Sequence, residues 1–101
     1  MNKNDFNPDT RYTIAWRDPT GRVRPCAIYV FRAYDTFLIA RLTGGDALLR
    51  KFLYSDVFKI VAAESVAPSD RYLVPAALLD EKTWAERVEM SHYATSPASG
   101  K

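Results

Sequence analysis

Residues 11–17 and the four residues after them constrain the fold more than any other part of the chain. In Arg-Tyr-Thr-Ile-Ala-Trp-Arg, β-forming residues alternate, so Tyr12, Ile14 and Trp16 share one face. The segment Asp-Pro-Thr-Gly at 18–21 then places Asp, Pro and Gly where a type I turn favours them. The pattern predicts a β-hairpin.

The return strand of this hairpin, residues 22–34, is apolar on two sides for part of its length. Ile28 and Val30 share one face, whereas Tyr29 and Phe31 share the other. Such a strand is buried on both sides or covered by a partner.

A second hairpin follows. Residues 34–36 predict a tight connection, residues 37–42 predict a strand, and the Gly-Gly-Asp segment at 44–46 ends it. Residues 47–54 have helical spacing but form a short run, so strand and helix both stay open, and we favour a strand.

A last strand and a helix complete the predicted fold. Residues 57–61 predict an apolar strand that begins after a sharp corner at 55–56. Residues 75–90 carry leucines and Trp84 among charges and begin with a proline, which predicts an amphipathic helix. The expected fold is mainly β, a small SH3-like or Sm-like barrel of about five strands with a carboxy-terminal helix.

The chain length allows one hydrophobic core. At 101 residues, 48% of them apolar, the composition is that of one globular domain. We expect a single domain at 9–90, a flexible amino terminus at 1–8 and a flexible Ser- and Ala-rich tail at 91–101.

Two segments resemble motifs of the Sm-like (Hfq-type) family of small β-barrels. Ala-Tyr-Asp-Thr-Phe-Leu at 33–38 is similar to the corner of the first motif, and residues 52–61 resemble the second motif. The resemblance covers 11–62 and implies a barrel and ring assembly, with RNA as a possible partner. The uridine-binding Asn of many Sm proteins falls at Ile39, which departs from the family's RNA pocket. A generic SH3-like barrel explains the same pattern.

The arginines of the first hairpin are the candidate nucleic-acid site. The net charge of +2 is small for a protein that neutralises many phosphates. The hairpin nevertheless combines arginines that could hold phosphates with aromatics that could stack on bases. The candidate residues are Arg11, Arg17, Arg22, Arg24, Tyr12 and Trp16. The alternative is a solvated charged face with both aromatics in the core.

The sequence offers no convincing catalytic or metal-binding constellation. The single cysteine, Cys26, and the single histidine, His92, form no metal-ligand pattern, and we expect no cofactor and no enzyme activity. Asp35 and Asp56 occupy turns, where aspartates usually accept local hydrogen bonds. The lone cysteine and the lack of a signal or membrane segment predict a cytoplasmic protein.

The aromatic side chains exceed what a barrel of this size readily buries. The set comprises Tyr29, Phe31, Tyr34, Phe37, Phe52, Tyr54 and Phe58. Either a subunit interface absorbs the excess or the predicted carboxy-terminal helix completes the core over it. The leading hypothesis is therefore a non-catalytic binding or assembly module that self-associates through strand edges or apolar faces. The second hypothesis is an Sm-like RNA-binding protein.

Overall fold

β-Strands dominate the computed structural model, which describes residues 1–43, 48–85, 89–94 and 96–97. The strands are β1 (Thr10–Arg17), β2 (Val23–Ala33), β3 (Phe37–Leu42), β4 (Leu48–Leu53), β5 (Val57–Ser65), β6 (Tyr72–Leu73), β7 (Glu89–Ala94) and β8 (Ser96–Pro97). Five of them form an antiparallel sheet in the order β5-β1-β2-β3-β4, which β7 extends beyond β4, while β6 pairs with β8. Short 3-10 helices span Lys3–Asp5, Tyr54–Asp56, Pro68–Asp70, Ala76–Leu79 and Glu81–Trp84. The predicted mainly β class is confirmed.

The turn between β1 and β2 is held by one buried carboxylate. Asp18, 7% exposed, accepts hydrogen bonds from the backbone N–H groups of Thr20 at 2.9 Å and Arg22 at 3.1 Å. Gly21 has a φ of 88°, in the left-handed region that favours glycine. β1 and β2 pair from Arg17 opposite Val23 onward. The predicted hairpin is confirmed.

Apolar side chains cover both faces of the sheet, as the two-sided pattern of β2 predicted. The first face carries the buried residues Phe6, Tyr12, Ile14, Ile28, Val30, Leu38, Ala40, Phe52, Tyr54 and Val57. The second face carries Tyr29, Phe31, Phe37, Ile39, Leu49, Val66, Leu79 and Trp84. β2 contributes Ile28 and Val30 to one and Tyr29 and Phe31 to the other, because neighbouring residues of a strand point to opposite sides.

Residues 66–84 cover part of the second face from within the same chain. Leu79 and Trp84 are buried there, and Tyr72, Val74 and Leu78 pack around them. Tyr29, Phe31 and Phe37 are thus covered by the same chain, although by this segment with its 3-10 helices and not by the predicted helix. Phe58 is an exception, since it stays 47% exposed.

The predicted carboxy-terminal helix over 75–90 is wrong for the described residues of that range. Two 3-10 helices take its place, and β7 starts at Glu89. Pro75 precedes the first 3-10 helix, and Asp80 ends it and caps the second by accepting the Lys82 N–H at 3.0 Å. An aspartate side chain that binds the local backbone competes with continued helix, which explains the break.

The predicted closed barrel is also wrong: within the described part of the chain, the sheet is open. β4 pairs with β7 on its outer side, and among the described strands β5 pairs only with β1. β5 is shifted against β1 between Thr13 and Ile14 and between Ala15 and Trp16. Such bulges bend and twist a strand, so β5 curves without meeting β4.

The remaining predicted boundaries have mixed outcomes. Residues 48–53 form a strand, as favoured, while 44–47 lie outside the described residues. In the amino-terminal segment 1–8, Phe6 is 3% exposed and packs in the first-face core. Of the predicted tail, 91–94 and 96–97 lie in strands, and residues 95 and 98–101 lie outside the described residues. Flexibility at either terminus stays a prediction.

No helix in the described ranges is long and apolar enough to cross a membrane.

Candidate functional site

The structure separates the aromatics of the candidate nucleic-acid site from two of its arginines. Tyr12 is 4% exposed, and Trp16 packs against the same first-face core, with its ring 5.3 Å from that of Phe52. Arg11 and Arg17 alternate with these residues along β1 and so lie on the second face. Tyr12 and Trp16 therefore serve the core, as the alternative interpretation of this hairpin expected.

The other two arginines of the candidate site are tied to the β1–β2 turn. The Arg24 Nε lies 3.3 Å from a carboxylate oxygen of Asp18, and the Arg22 backbone N–H donates to the other oxygen. The Thr20 hydroxyl donates to Asp18 as well. That hydrogen bond is the largest of the effects that lower the pKa of Asp18. The carboxylate is ionised and used by the turn, so it is unsuited to proton transfer near neutral pH.

Arg11 and Arg17 each contact a residue of β5. The Arg11 guanidinium lies 3.7 Å from the Glu64 carboxylate, and that of Arg17 lies 5.1 Å from the centre of the Phe58 ring. Arg17 and Phe58 form a cation–π pair at the surface. The basic side chains of β1 thus adjoin an exposed strand.

The outer edge of β5 is an open strand edge in the described part of the chain; we call it the free edge and define it as residues 57–65. Only Val57 is buried along it and Ile60 is half-buried, while the others are exposed. Phe58 and Val61 are apolar and yet 47% and 59% exposed. A strand edge presents backbone N–H and C=O groups that can pair with another strand. This surface can therefore bind through backbone hydrogen bonds.

Sequence reasoning missed the carboxy-terminal part of the free edge. The predicted strand ended at residue 61, whereas β5 continues to Ser65. Ala62, Ala63 and Glu64 have low β-propensity, which hid the continuation. The length of β1 could have indicated the continuation. β1 has eight residues and pairs with β2 along one edge, so its other edge needs a strand of similar length.

An open groove of about 420 Å³ lies beside the free edge on the second face. Residues 66–84 do not line this groove; its side chains come from β1, β2 and β5 and include Arg11, Thr13, Ala27, Ala62 and Glu64. Most are small, so a partner could approach the backbone closely. The groove and the free edge form one continuous surface.

The remaining candidate groups have local roles. Burial raises the pKa of the Cys26 thiol despite the opposing charges of Arg50 and Arg24, which disfavours a reactive thiolate. Asp35 is exposed and pairs with Lys3 at 2.9 Å. Asp56 lines a groove of about 230 Å³ together with Asp18.

Within the described ranges, no three His, Cys, Asp or Glu side chains gather as metal ligands.

No protein-family model, no curated protein and no solved structure matches this chain. The resemblance to the Sm-like family stays a prediction that rests on the two sequence segments. Function is therefore inferred from the geometry of the free edge and its surroundings.

Proposed function

We propose that this protein is a small, non-catalytic β-sheet module that self-associates through the free edge of β5. The observation that carries the proposal is a nine-residue edge strand whose outer side pairs with no other described residues and which exposes two large apolar side chains, Phe58 and Val61. We place it in the cytoplasm, where its lone Cys26 would stay reduced.

The distribution of apolar surface favours an edge contact over a face contact. The aromatic residues of the second face are covered by residues 66–84, so they need no subunit interface. On the opposite side of the sheet, β7 occupies the outer edge of β4. Because no described strand pairs with the outer side of the free edge, an added strand could hydrogen-bond to its backbone and cover its exposed apolar side chains.

Sedimentation velocity and light scattering test this proposal. We expect a mass above that of the monomer, 11.5 kDa, at concentrations of tens of micromolar, with a shift toward monomer on dilution. A monomer throughout that range would contradict the proposal.

The second candidate function is RNA binding, which the pair of Arg17 and Phe58 favours. Phe58 is an exposed ring with a guanidinium 5.1 Å from its centre, whereas Tyr12 and Trp16 are in or against the core. Exposed aromatics beside cations stack on bases of single strands. In this hypothesis Phe58 takes the stacking role first assigned to Tyr12 and Trp16. Arg11 and Arg17, with Arg22 and Arg24 at the turn, would hold phosphates.

Titration with short fluorescent RNAs at about 50 mM and about 200 mM salt tests RNA binding. Phe58→Ala should weaken binding by roughly tenfold, because stacking contributes about 1–3 kcal/mol per base. Val61→Ala is the matched control, since it truncates an exposed apolar side chain of the same strand. Absence of salt-sensitive binding would exclude this function.

A further inference from the structure

The pairing of β5 with β1 defines the ladder positions of β5, that is, which residue of β5 lies opposite each residue of β1. It also shows which residues of β5 share a face. Glu64 lies opposite Arg11, Ala62 opposite Thr13 and Lys59 opposite Ala15. These partners alternate along β1, so Lys59, Ala62 and Glu64 all lie on the second face.

The bulge in β5 makes this arrangement symmetric. Thr13 pairs with Ala62 and Ile14 with Ile60, so Val61 adds a residue without adding a ladder position. Lys59 and Glu64 are consequently each two ladder positions from Ala62, one on either side. Ala62 is the one paired position of β5 midway between the two charges. A strand with opposite charges at equal distances from its centre is complementary to a reversed copy of itself.

We infer that the free edge pairs antiparallel with the free edge of a second copy, about a two-fold axis at Ala62. This inference rests on the proposed function and specifies its interface. In a two-fold antiparallel pair, positions equidistant from the axis face each other. Lys59 then lies opposite Glu64 of the second copy, and the same contact occurs again by symmetry.

The first face of the pairing is compatible with the same register. Ile60 and Ala63 lie opposite Ile14 and Tyr12, one ladder position on either side of Ala62. Ile60 therefore faces Ala63 of the second copy. Val57 and Ser65 face each other at the two ends. No like charges are opposed, and moving the axis by one ladder position removes both Lys59–Glu64 contacts.

A second copy fits this edge better than an unrelated strand does. The bulges bend β5, and a lysine lies on the edge; both features disfavour pairing with a regular apolar strand. An identical strand carries the same bulges and supplies the opposite charge to Lys59. Glu64 already pairs with Arg11 at 3.7 Å, but its side chain is 74% exposed and a carboxylate has a second oxygen, so it can also accept from Lys59 of the second copy.

Disulfide trapping tests the position of the axis. In a Cys26→Ser background, Ala62→Cys places two thiols on directly opposed residues, whose Cα atoms are about 4.5–5.5 Å apart, within disulfide range. Ala27→Cys is the matched control. Ala27 is exposed and lies on β2 opposite Thr13, which on its other edge lies opposite Ala62. Its symmetry mate would be about five strand spacings, roughly 24 Å, away. We expect a covalent dimer from Ala62→Cys only.

Charge exchange tests the register independently. Lys59→Glu opposes Glu64 of the second copy twice and should raise the dimer Kd by roughly tenfold or more. The double variant Lys59→Glu with Glu64→Lys restores both contacts, so its Kd should return to within about threefold of the wild type. Sedimentation velocity measures all three proteins.

The outcomes separate this inference from the proposed function. Trapping at Ala62 together with rescue by the double variant supports both. A wild-type dimer that neither traps at Ala62 nor responds to Lys59→Glu would overturn the interface and leave self-association standing. A wild-type monomer throughout would overturn both.

Discussion

Tyr54 shows how one buried side chain couples the fold to pH. Its hydroxyl donates to the Tyr34 carbonyl at 2.6 Å. Burial, together with the negative charges of Asp35 and Asp5, raises the pKa of Tyr54 to about 12. The unfolded-state pKa is about 10, so the folded state binds this proton more tightly. The stabilisation is complete below about pH 10 and is lost as the pH rises toward 12.

We predict that Tyr54→Phe lowers the free energy of unfolding by about 1 kcal/mol at pH 7, the typical net value of a hydrogen bond. The difference between the two proteins should shrink above about pH 10, because only the wild type carries the Tyr54 proton. Urea unfolding followed by circular dichroism at about pH 7 and about pH 11 measures it. A difference that is equal at both pH values would show that Tyr54 does not titrate in this way.

At the scale of elements, residues 66–84 act as a cover for the second face, and Trp84 is its anchor. The indole is fully buried and donates to the Leu78 carbonyl at 2.7 Å. The Lys51 ammonium donates to the Trp84 carbonyl at 2.7 Å. This segment therefore closes the core without a regular α-helix.

Trp84→Ala should lower the free energy of unfolding by about 3–5 kcal/mol, because it leaves a large cavity under the cover. Such a loss is a substantial part of the stability of a domain, about 5–15 kcal/mol. Leu73→Ala in the same segment is the control and should change stability by less than about 0.5 kcal/mol, since Leu73 is 61% exposed. Urea denaturation compares them. Equal, small effects would mean that the cover contributes little to stability.

The elements with local signals were predictable from the sequence. The turn at 18–21 and the alternation of β1 are short-range patterns, and both hairpins follow from such patterns. The two buried faces of β2 were also predictable from Ile28 and Tyr29. Residues 75–90 were not, because their apolar spacing suits a helix, and the competing backbone contact of Asp80 is seen only in the structure.

The free edge was less predictable than the strands, because it depends on pairing between distant segments. Nothing local in Lys59 or Glu64 shows that they share a face, since they are five positions apart and a regular strand would place them on opposite sides. The bulge at Val61 adds one residue and so brings Lys59 and Glu64 to the same face. The bulge itself is defined only by the register of β5 with β1. The symmetric charge pattern is therefore a property of the fold.

At the scale of the whole molecule, the proposed pairing at the free edge would couple stability to concentration. A dimer that contains only folded chains stabilises the folded state by mass action. Above the Kd, each tenfold rise in protein concentration adds about 0.7 kcal/mol to the free energy of unfolding of each chain. This is half of 1.4 kcal/mol, because two chains share one association event. For a domain of this size, Tm should rise by about 3–5 °C per tenfold increase.

Differential scanning calorimetry from about 5 to about 500 µM measures this dependence. Lys59→Glu is the control, because it weakens the pairing without touching either buried core. With a Kd raised about tenfold, its Tm should begin to rise only at about tenfold higher concentration than that of the wild type. A wild-type Tm that stays constant over the whole range would contradict coupling between folding and association. An equal rise in both proteins would mean that the chains associate through a surface that excludes Lys59, since opposing that residue to Glu64 of a second copy must cost affinity.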